Sequence, residues 1–451
     1  MADLGIPMPF LRELGLKLLH YNEQLTIGEM AQRMKVPRHI VDEISRELRK
    51  EKMIQFVAAS AVHYENVPIR LTEVGRERVD EALKRSRYAG PVPVTLEQYN
   101  NTIESLMSIR TSVKRERLLR SLSHLVFAPE VLERVTAALH SGRACLVYGP
   151  SGNGKTEIVS SFAANLESGT IVPHAIYTYG QLIKVFDRLH HTPVSNPPTA
   201  RGMEVDERWV HIKTPVVMVG GELARDALEL GHDANAGLHQ LPPHLKAQNG
   251  VFIVDDFGRQ AMRPEEMLNR WIVPMERSWD IFSLNTGEIL SVPFDVTLVL
   301  STNLSPADLM DEALLRRIPY KVHVPAPQPQ QLWKIANVVA ESMGVEIHRD
   351  GLEYLMDKVF SAGRVPRASV PRDLMRIIVD GARFYDAPAR LTPESVERAW
   401  NLSYGTDSDG QAGAVVTPRQ RAGIPERTPV PRETLPNGDK PRPRAESLPK
   451  R

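Results

Sequence analysis

A single cysteine, Cys145, stands in 451 residues. That excludes any disulfide within the chain, and its apolar setting (Ala144, Cys145, Leu146, Val147, Tyr148) reads as a buried strand thiol in a reducing compartment. No uninterrupted apolar stretch approaches the roughly 18 residues that a membrane-spanning helix requires, so no membrane insertion is expected. The opening residues 1–14 also lack the basic start and apolar core of an export signal. The expectation is a soluble, cytoplasmic protein. An excess of one charge is missing too: 56 Lys and Arg against 55 Asp and Glu leave a formal net charge of +1. No global attraction to nucleic acid or an anionic membrane follows, and any basic surface must be local. The sequence contains no internal repeat. What remains is of globular composition, with 42% hydrophobic and 25% charged residues, over a length that exceeds one core and implies two or three domains.

Periodicity divides the chain. In residues 10–87, Leu11, Leu14, Leu18 and Leu19 space one helix. Thr26 caps a second helix through Met34, and Val36-Pro37 breaks the chain before a third with Ile40, Val41, Ile44 and Leu48 inward. Two extended runs (54–62 and 67–71) precede a helix capped by Thr72. This order resembles a winged helix-turn-helix, assigned to residues 1–90. Gly90-Pro91-Val92-Pro93 breaks the pattern and reads as a linker. Helical segments follow at 95–122 and 129–140. From Asp407 onward the sequence has repeated prolines, many basic residues and no aromatics, which matches a disordered tail over 406–451.

The segment Gly149-Pro150-Ser151-Gly152-Asn153-Gly154-Lys155-Thr156 fits GxxxxGKT, preceded by an apolar strand pattern and followed by a helical one. The bare pattern arises by chance in roughly one chain in a hundred at average composition, and the flanking elements make it rarer. Glycines let the backbone curl until its N–H groups face one phosphate, and the helix N-terminus adds its positive end. Lys155 is then expected on the β and γ phosphates of ATP, and Thr156 on Mg²⁺.

Three further segments give the phosphate loop its context. Val251-Phe252-Ile253-Val254-Asp255-Asp256 is an apolar run that delivers two carboxylates to a sheet edge and resembles a Walker B strand. The resemblance implies Asp255 at Mg²⁺ and Asp256 polarising the attacking water. A second run, 296–301, ends in Thr302-Asn303 and resembles sensor 1. Asp311 to Pro319 resembles the helix whose terminal arginine enters a neighbouring subunit's site, with Arg316 and Arg317 both open as that finger. Helical segments at 328–343, 349–363, 371–385 and 392–403 suit a lid, within which Val370-Pro371-Arg372-Asp373-Leu374 resembles sensor 2.

Together these motifs resemble the AAA+ ATPases. The resemblance implies an α/β P-loop core with a parallel sheet over 91–325, including a helical stretch 91–125, and a helical lid over 326–405. It also implies a homo-oligomeric ring, most often a hexamer. The sequence departs from the pattern at Asp256, where the second acid is usually glutamate; aspartate is one methylene shorter. Two inserted segments refine the placement. Residues 279–292 around Asn285-Thr286-Gly287 read as a hairpin and resemble the pre-sensor-1 hairpin of one AAA+ superclade. Residues 209–219 read as a further candidate hairpin, resembling either the helix-2 insertion of MoxR-like proteins or simply an extra strand.

The leading expectation is therefore a MoxR-like ring that remodels a protein client. A DNA-associated ATPase is the alternative, through Arg38, Arg46, Arg49 and Lys50 on the third helix. Asp42, Glu43 and Glu47 interrupt those bases, and the wing His63, Tyr64, Glu65, Asn66 carries no Lys or Arg. A weakly hydrolysing, nucleotide-switched scaffold is the third reading, motivated by Asp256.

Overall fold

The computed structural model describes residues 4–57, 67–108, 122–164, 166, 169–195, 206–361 and 365–405. The wing at 63–66, residues 109–121 of the expected helix and the tail from 406 lie outside them. Two compact units are present, Met1–Ala399 and Trp400–Arg451; in the second, the described residues are 400–404, which end the last helix, and Gly405.

The leucines at helical spacing near the N-terminus are buried in α1 (Met8–Asn22). After β1 (Gln24–Leu25) comes α2 (Ile27–Met34), opened by a capping box. There the Thr26 hydroxyl accepts from the Glu29 N–H at 3.2 Å, and the Glu29 carboxylate accepts from the Thr26 N–H at 2.8 Å. Pro37 precedes α3 (Arg38–Lys50), whose Ile40, Val41, Ile44 and Leu48 face inward. β2 (Ile54–Phe56) and β3 (Ile69–Leu71) join β1 in an antiparallel sheet of order β1-β3-β2. The Thr72 hydroxyl then accepts from the Gly75 N–H at 3.1 Å to cap α4 (Glu73–Arg85).

The chain continues through β4 (Val94–Thr95), α5 (Leu96–Ser108), α6 (Pro129–His140), β5 (Cys145–Tyr148) and α7 (Lys155–Ala164). Next come β6 (Thr170–Pro173), β7 (Ala175–Thr178), β8 (Gln181–Lys184), β9 (Trp209–Ile212) and β10 (Val216–Val219). They are followed by β11 (Gly231–Asp233), β12 (Leu238–Gln240), α8 (Pro243–Lys246), β13 (Gly250–Val254) and α9 (Pro264–Arg277). The hairpin strands β14 (Trp279–Ser283) and β15 (Ile289–Pro293) precede β16 (Val296–Thr302), α10 (Pro306–Leu309), α11 (Glu312–Leu315) and β17 (Tyr320–His323). The last elements are α12 (Pro329–Met343), β18 (Glu346–Ile347), α13 (Arg349–Ser361), α14 (Val370–Phe384), β19 (Arg390–Leu391) and α15 (Pro393–Tyr404).

The fold is mixed α/β around a five-stranded, all-parallel sheet of order β10-β13-β16-β5-β17. β13 and β16 are buried at every position, as strands covered on both faces must be. Trp271 of α9 is fully buried and meets Phe252 edge-on at 5.8 Å, closing one face of that sheet. Because successive core strands are parallel, the loops leaving their C-terminal ends gather on one edge.

A hairpin at 209–219 is not formed. β9 pairs antiparallel with β6, whereas β10 lies parallel to β13 as the edge strand of the main sheet. The apolar run Val216–Val219 finds its partner about 35 residues downstream, in the register Val216↔Val251, as a parallel pairing through a crossover requires. Of the two readings of this segment, the extra strand stands. At 279–293, by contrast, β14 and β15 pair in register, and Gly287 (φ 95°) makes the turn.

The Pro-rich stretch at 90–93 is tied down at its C-terminal end. Val92 is fully buried and its N–H donates to the Met34 carbonyl at 2.8 Å. The buried guanidinium of Arg208 donates to the Pro93 carbonyl at 3.2 Å while chelating Asp206. Phe10 packs on Tyr177 of β7 with ring centroids 4.6 Å apart. These contacts dock the N-terminal helices on a second sheet of order β11-β12-β8-β7-β4.

Candidate functional site

The loop from β5 to α7 needs its glycines. Gly149 has φ +146°, and a Cβ there would lie 2.1 Å from the Val324 carbonyl oxygen, so any side chain collides with backbone. Gly152 and Gly154 both have φ +77°, a conformation L side chains rarely adopt. Asn153, read from the sequence as one of the nucleotide-binding residues of this loop, ties it to neighbouring segments. Its side chain accepts from the Ala368 N–H at 3.1 Å and donates to the Pro325 carbonyl at 3.4 Å. The Ser369 N–H donates to the Gly152 carbonyl at 2.9 Å. The loop is thus stitched to the segment just before α14 and to the exit of β17.

Lys155 opens α7 with only 6% of its surface exposed. Its ammonium donates to the Gly149 and Pro150 carbonyls, both at 3.0 Å, and to Asn303 Oδ1 at 2.6 Å. Burial lowers its pKa, and the carboxylates of Asp255 and Asp256 oppose that shift. The Thr156 hydroxyl lies 3.0 Å from both carboxylate oxygens of Asp255.

The two acids leave the end of β13 in different settings: Asp255 is half-buried and Asp256 exposed. Asp256 has φ 48°, in the left-handed region that Asp tolerates better than most residues. Asn303, at the end of β16, bridges the site. Its Nδ2 donates to Asp256 Oδ1 at 3.1 Å while its Oδ1 receives the lysine.

Ser151 to Thr156, both acids, Asn303 and Arg372 line one cavity of ≈ 440 Å³, which Phe127, Ile335, Val338 and Val339 make apolar on the other side. Sequence reasoning missed those apolar residues, because the spacing of 335, 338 and 339 reads as an ordinary buried helix stripe, yet Val338 is 48% exposed. Arg316 and Arg317 are not brought here. Arg317 donates to Glu276 at 3.2 Å and to the Ala313 carbonyl at 3.1 Å, and Arg316 pairs with Glu312 at 2.8 Å. Both line a separate cavity of ≈ 830 Å³ beside Arg143 and Asp295.

The donor set fits a polyphosphate carrying a hard divalent cation: inward-curled backbone, a lysine ammonium, and a hydroxyl beside a carboxylate. The apolar wall suits a flat base.

Residues 328–402 match a family described as a domain of unknown function, DUF8689. No curated protein matches the chain. Among solved structures, a single-substitution variant of RuvB from Thermotoga maritima is similar at 15% identity, with 62% of this chain and 71% of that chain covered and a TM-score of 0.38. The Thermotoga maritima RuvB Holliday junction branch migration motor is similar at 15% identity, with 65% and 71% covered and a TM-score of 0.35. At such values neither likeness bears on this chain's activity, and its α/β P-loop fold is read from its own sheet order and phosphate loop.

Proposed function

We propose that the chain is an AAA+-type ATPase that works as a homo-oligomeric ring, most often a hexamer in such proteins, and remodels a protein client in the MoxR-like manner. The observation that carries this reading is the convergence of Lys155, the Thr156–Asp255 pair and the Asp256–Asn303 pair in one cavity at the C-terminal edge of the parallel sheet. Lys155 and the loop N–H groups bind the ATP phosphates. Thr156 and Asp255 hold Mg²⁺, which supplies charge neutralisation on the phosphate oxygens. Asp256 orients and polarises the attacking water, Asn303 aims Asp256, and Arg372 reaches the phosphates from the lid. Arg316 or Arg317 completes a neighbour's site, since both line a cavity other than the one that holds the phosphate loop.

The client reading is supported by the β14–β15 hairpin, where Ile281 and Ile289 are 54% and 63% exposed, apolar side chains offered to a partner rather than to the core. ATP turnover that is abolished by Asp256→Asn while nucleotide binding survives is the expected result. Binding without turnover in the unaltered protein would leave the nucleotide-switched scaffold instead.

The N-terminal helices, read as a winged helix, are proposed to dock a protein rather than DNA. α3 exposes Arg38, Arg46, Arg49 and Lys50, but Lys50 pairs with Glu47 at 2.6 Å and the Arg49 guanidinium lies 5.4 Å over the Phe56 ring. Duplex binding by the whole chain that weakens steeply with salt would reverse this choice.

A further inference from the structure

We propose that Gln260, a residue with no motif of its own, is a positioning residue for Asp256; the proposal rests on the hydrolytic reading of Asp256 given above. The Arg259 N–H donates to the Asp256 carbonyl at 2.9 Å, closing a turn whose third residue, Gly258, has φ +97°, as a type II turn requires. Asp256 opens that turn in the left-handed region. Gly258 suits its place in the turn, whereas Asp256 sits where non-glycine residues are uncommon, a conformation that its surroundings must hold.

Gln260 supplies that determination from inside. It is 9% exposed, and its side-chain amide satisfies three backbone groups at once. Nε2 donates to the Asp255 carbonyl at 2.9 Å and to the Gly220 carbonyl at 3.3 Å, and Oε1 accepts from the Gly258 N–H at 2.9 Å. One side chain thus grips the turn before and after Asp256 and moors it to the end of β10. The opposite side is held by the Phe257 N–H on the Ser301 carbonyl and by the Thr302 hydroxyl on the Phe257 carbonyl, both at 2.7 Å.

This arrangement gives a physical reason for aspartate at 256. A left-handed backbone favours Asp over Glu, and a short acid has little reach with which to correct an error in its backbone. A carboxylate on two bonds must be aimed by the turn, and a displacement of about 1 Å at such a group costs up to about a hundredfold in rate.

The test uses the full chain with ATP and Mg²⁺. Gln260→Met keeps the length and removes the amide. The expected result is a fall in kcat of about tenfold to a hundredfold, with the affinity for ADP measured without Mg²⁺ unchanged within about twofold, because the hydrogen bonds of Gln260 go to Gly258, Asp255 and Gly220 and not to the phosphate loop. Adding Asp256→Glu to Gln260→Met restores part of the loss through its longer reach, whereas Asp256→Glu alone lowers kcat. If Gln260→Met does not fold, Gln260→Asn decides, because it keeps the amide and withdraws it by one methylene: kcat falls while ADP affinity holds, and a kcat equal to that of the unaltered chain overturns the proposal. An unchanged kcat in Gln260→Met overturns it, and so does a parallel fall in kcat and ADP affinity, which marks a merely structural role. If the unaltered chain binds ATP but turns none over, the hydrolytic reading fails and the proposal falls with it.

Discussion

Replacing Asn303 by alanine separates binding from chemistry in a way the geometry specifies. The side chain makes two charge-assisted hydrogen bonds, from Lys155 at 2.6 Å and to Asp256 at 3.1 Å. Bonds to charged groups contribute about 1.5–3 kcal/mol each when buried. Asn303 is half-buried and Asp256 exposed, so the lower part of that range applies to the aspartate contact. Losing the donor that aims Asp256 should then cost about 1.5–2 kcal/mol of barrier, or roughly tenfold to thirtyfold in kcat. Binding moves the other way or not at all. Lys155 keeps the Gly149 and Pro150 carbonyls and loses a partner that competes with phosphate, so ATP affinity holds within about threefold or tightens. Steady-state turnover paired with titration of a fluorescent, non-hydrolysable ATP analogue reads both quantities. Affinity weakened tenfold with kcat retained would make Asn303 a nucleotide ligand and refute the orienting role.

Gly149→Ala should abolish nucleotide binding, since the new methyl meets the Val324 carbonyl oxygen at 2.1 Å in a backbone conformation closed to alanine; strain and overpacking together amount to about 2–5 kcal/mol, read as lost ADP binding by calorimetry. Burial pushes the Cys145 thiol up to about 12, so a thiol reagent at pH 8 should label it only as fast as the protein unfolds, and rapid labelling of the native chain would contradict the buried strand. Acid should destabilise the fold through histidines. Burial, seconded by Lys35, lowers His174 to about 4, and burial also lowers His244 and His191 against the opposing pull of Asp280 and Asp187. These imidazoles are neutral in the fold and protonate in the unfolded chain below about 6.5. Their contribution is therefore complete above that pH and lost as pH falls from there towards about 4. The thermal midpoint should drop across this window, less steeply in His174→Gln, and a midpoint independent of pH would contradict the assignment.

The parts of the site legible in the sequence are those encoded locally. The phosphate loop needs three glycines, a lysine and a threonine at fixed spacing, and β13 and β16 announce themselves as apolar runs ending in Asp255-Asp256 and Thr302-Asn303. Helix caps such as Thr26 and Thr72 are equally local. What the sequence hides is set by partners far along the chain. Val216–Val219 looks like half of a hairpin until β13 claims it, and Arg208 acquires meaning only against Pro93. Asn153 fills a variable position of the phosphate-loop motif and Gln260 belongs to no motif, and their roles exist only once the Ala368 N–H and the Asp255 carbonyl come within reach.

The central claim is ATP hydrolysis at a site finished by a neighbouring copy. The most direct measurement is turnover per chain against protein concentration, with particle mass followed alongside and Lys155→Ala as the control. A rate per chain that climbs as rings assemble, and is lost in Lys155→Ala, is what the account predicts. Negligible turnover at every concentration with intact ATP binding would contradict it.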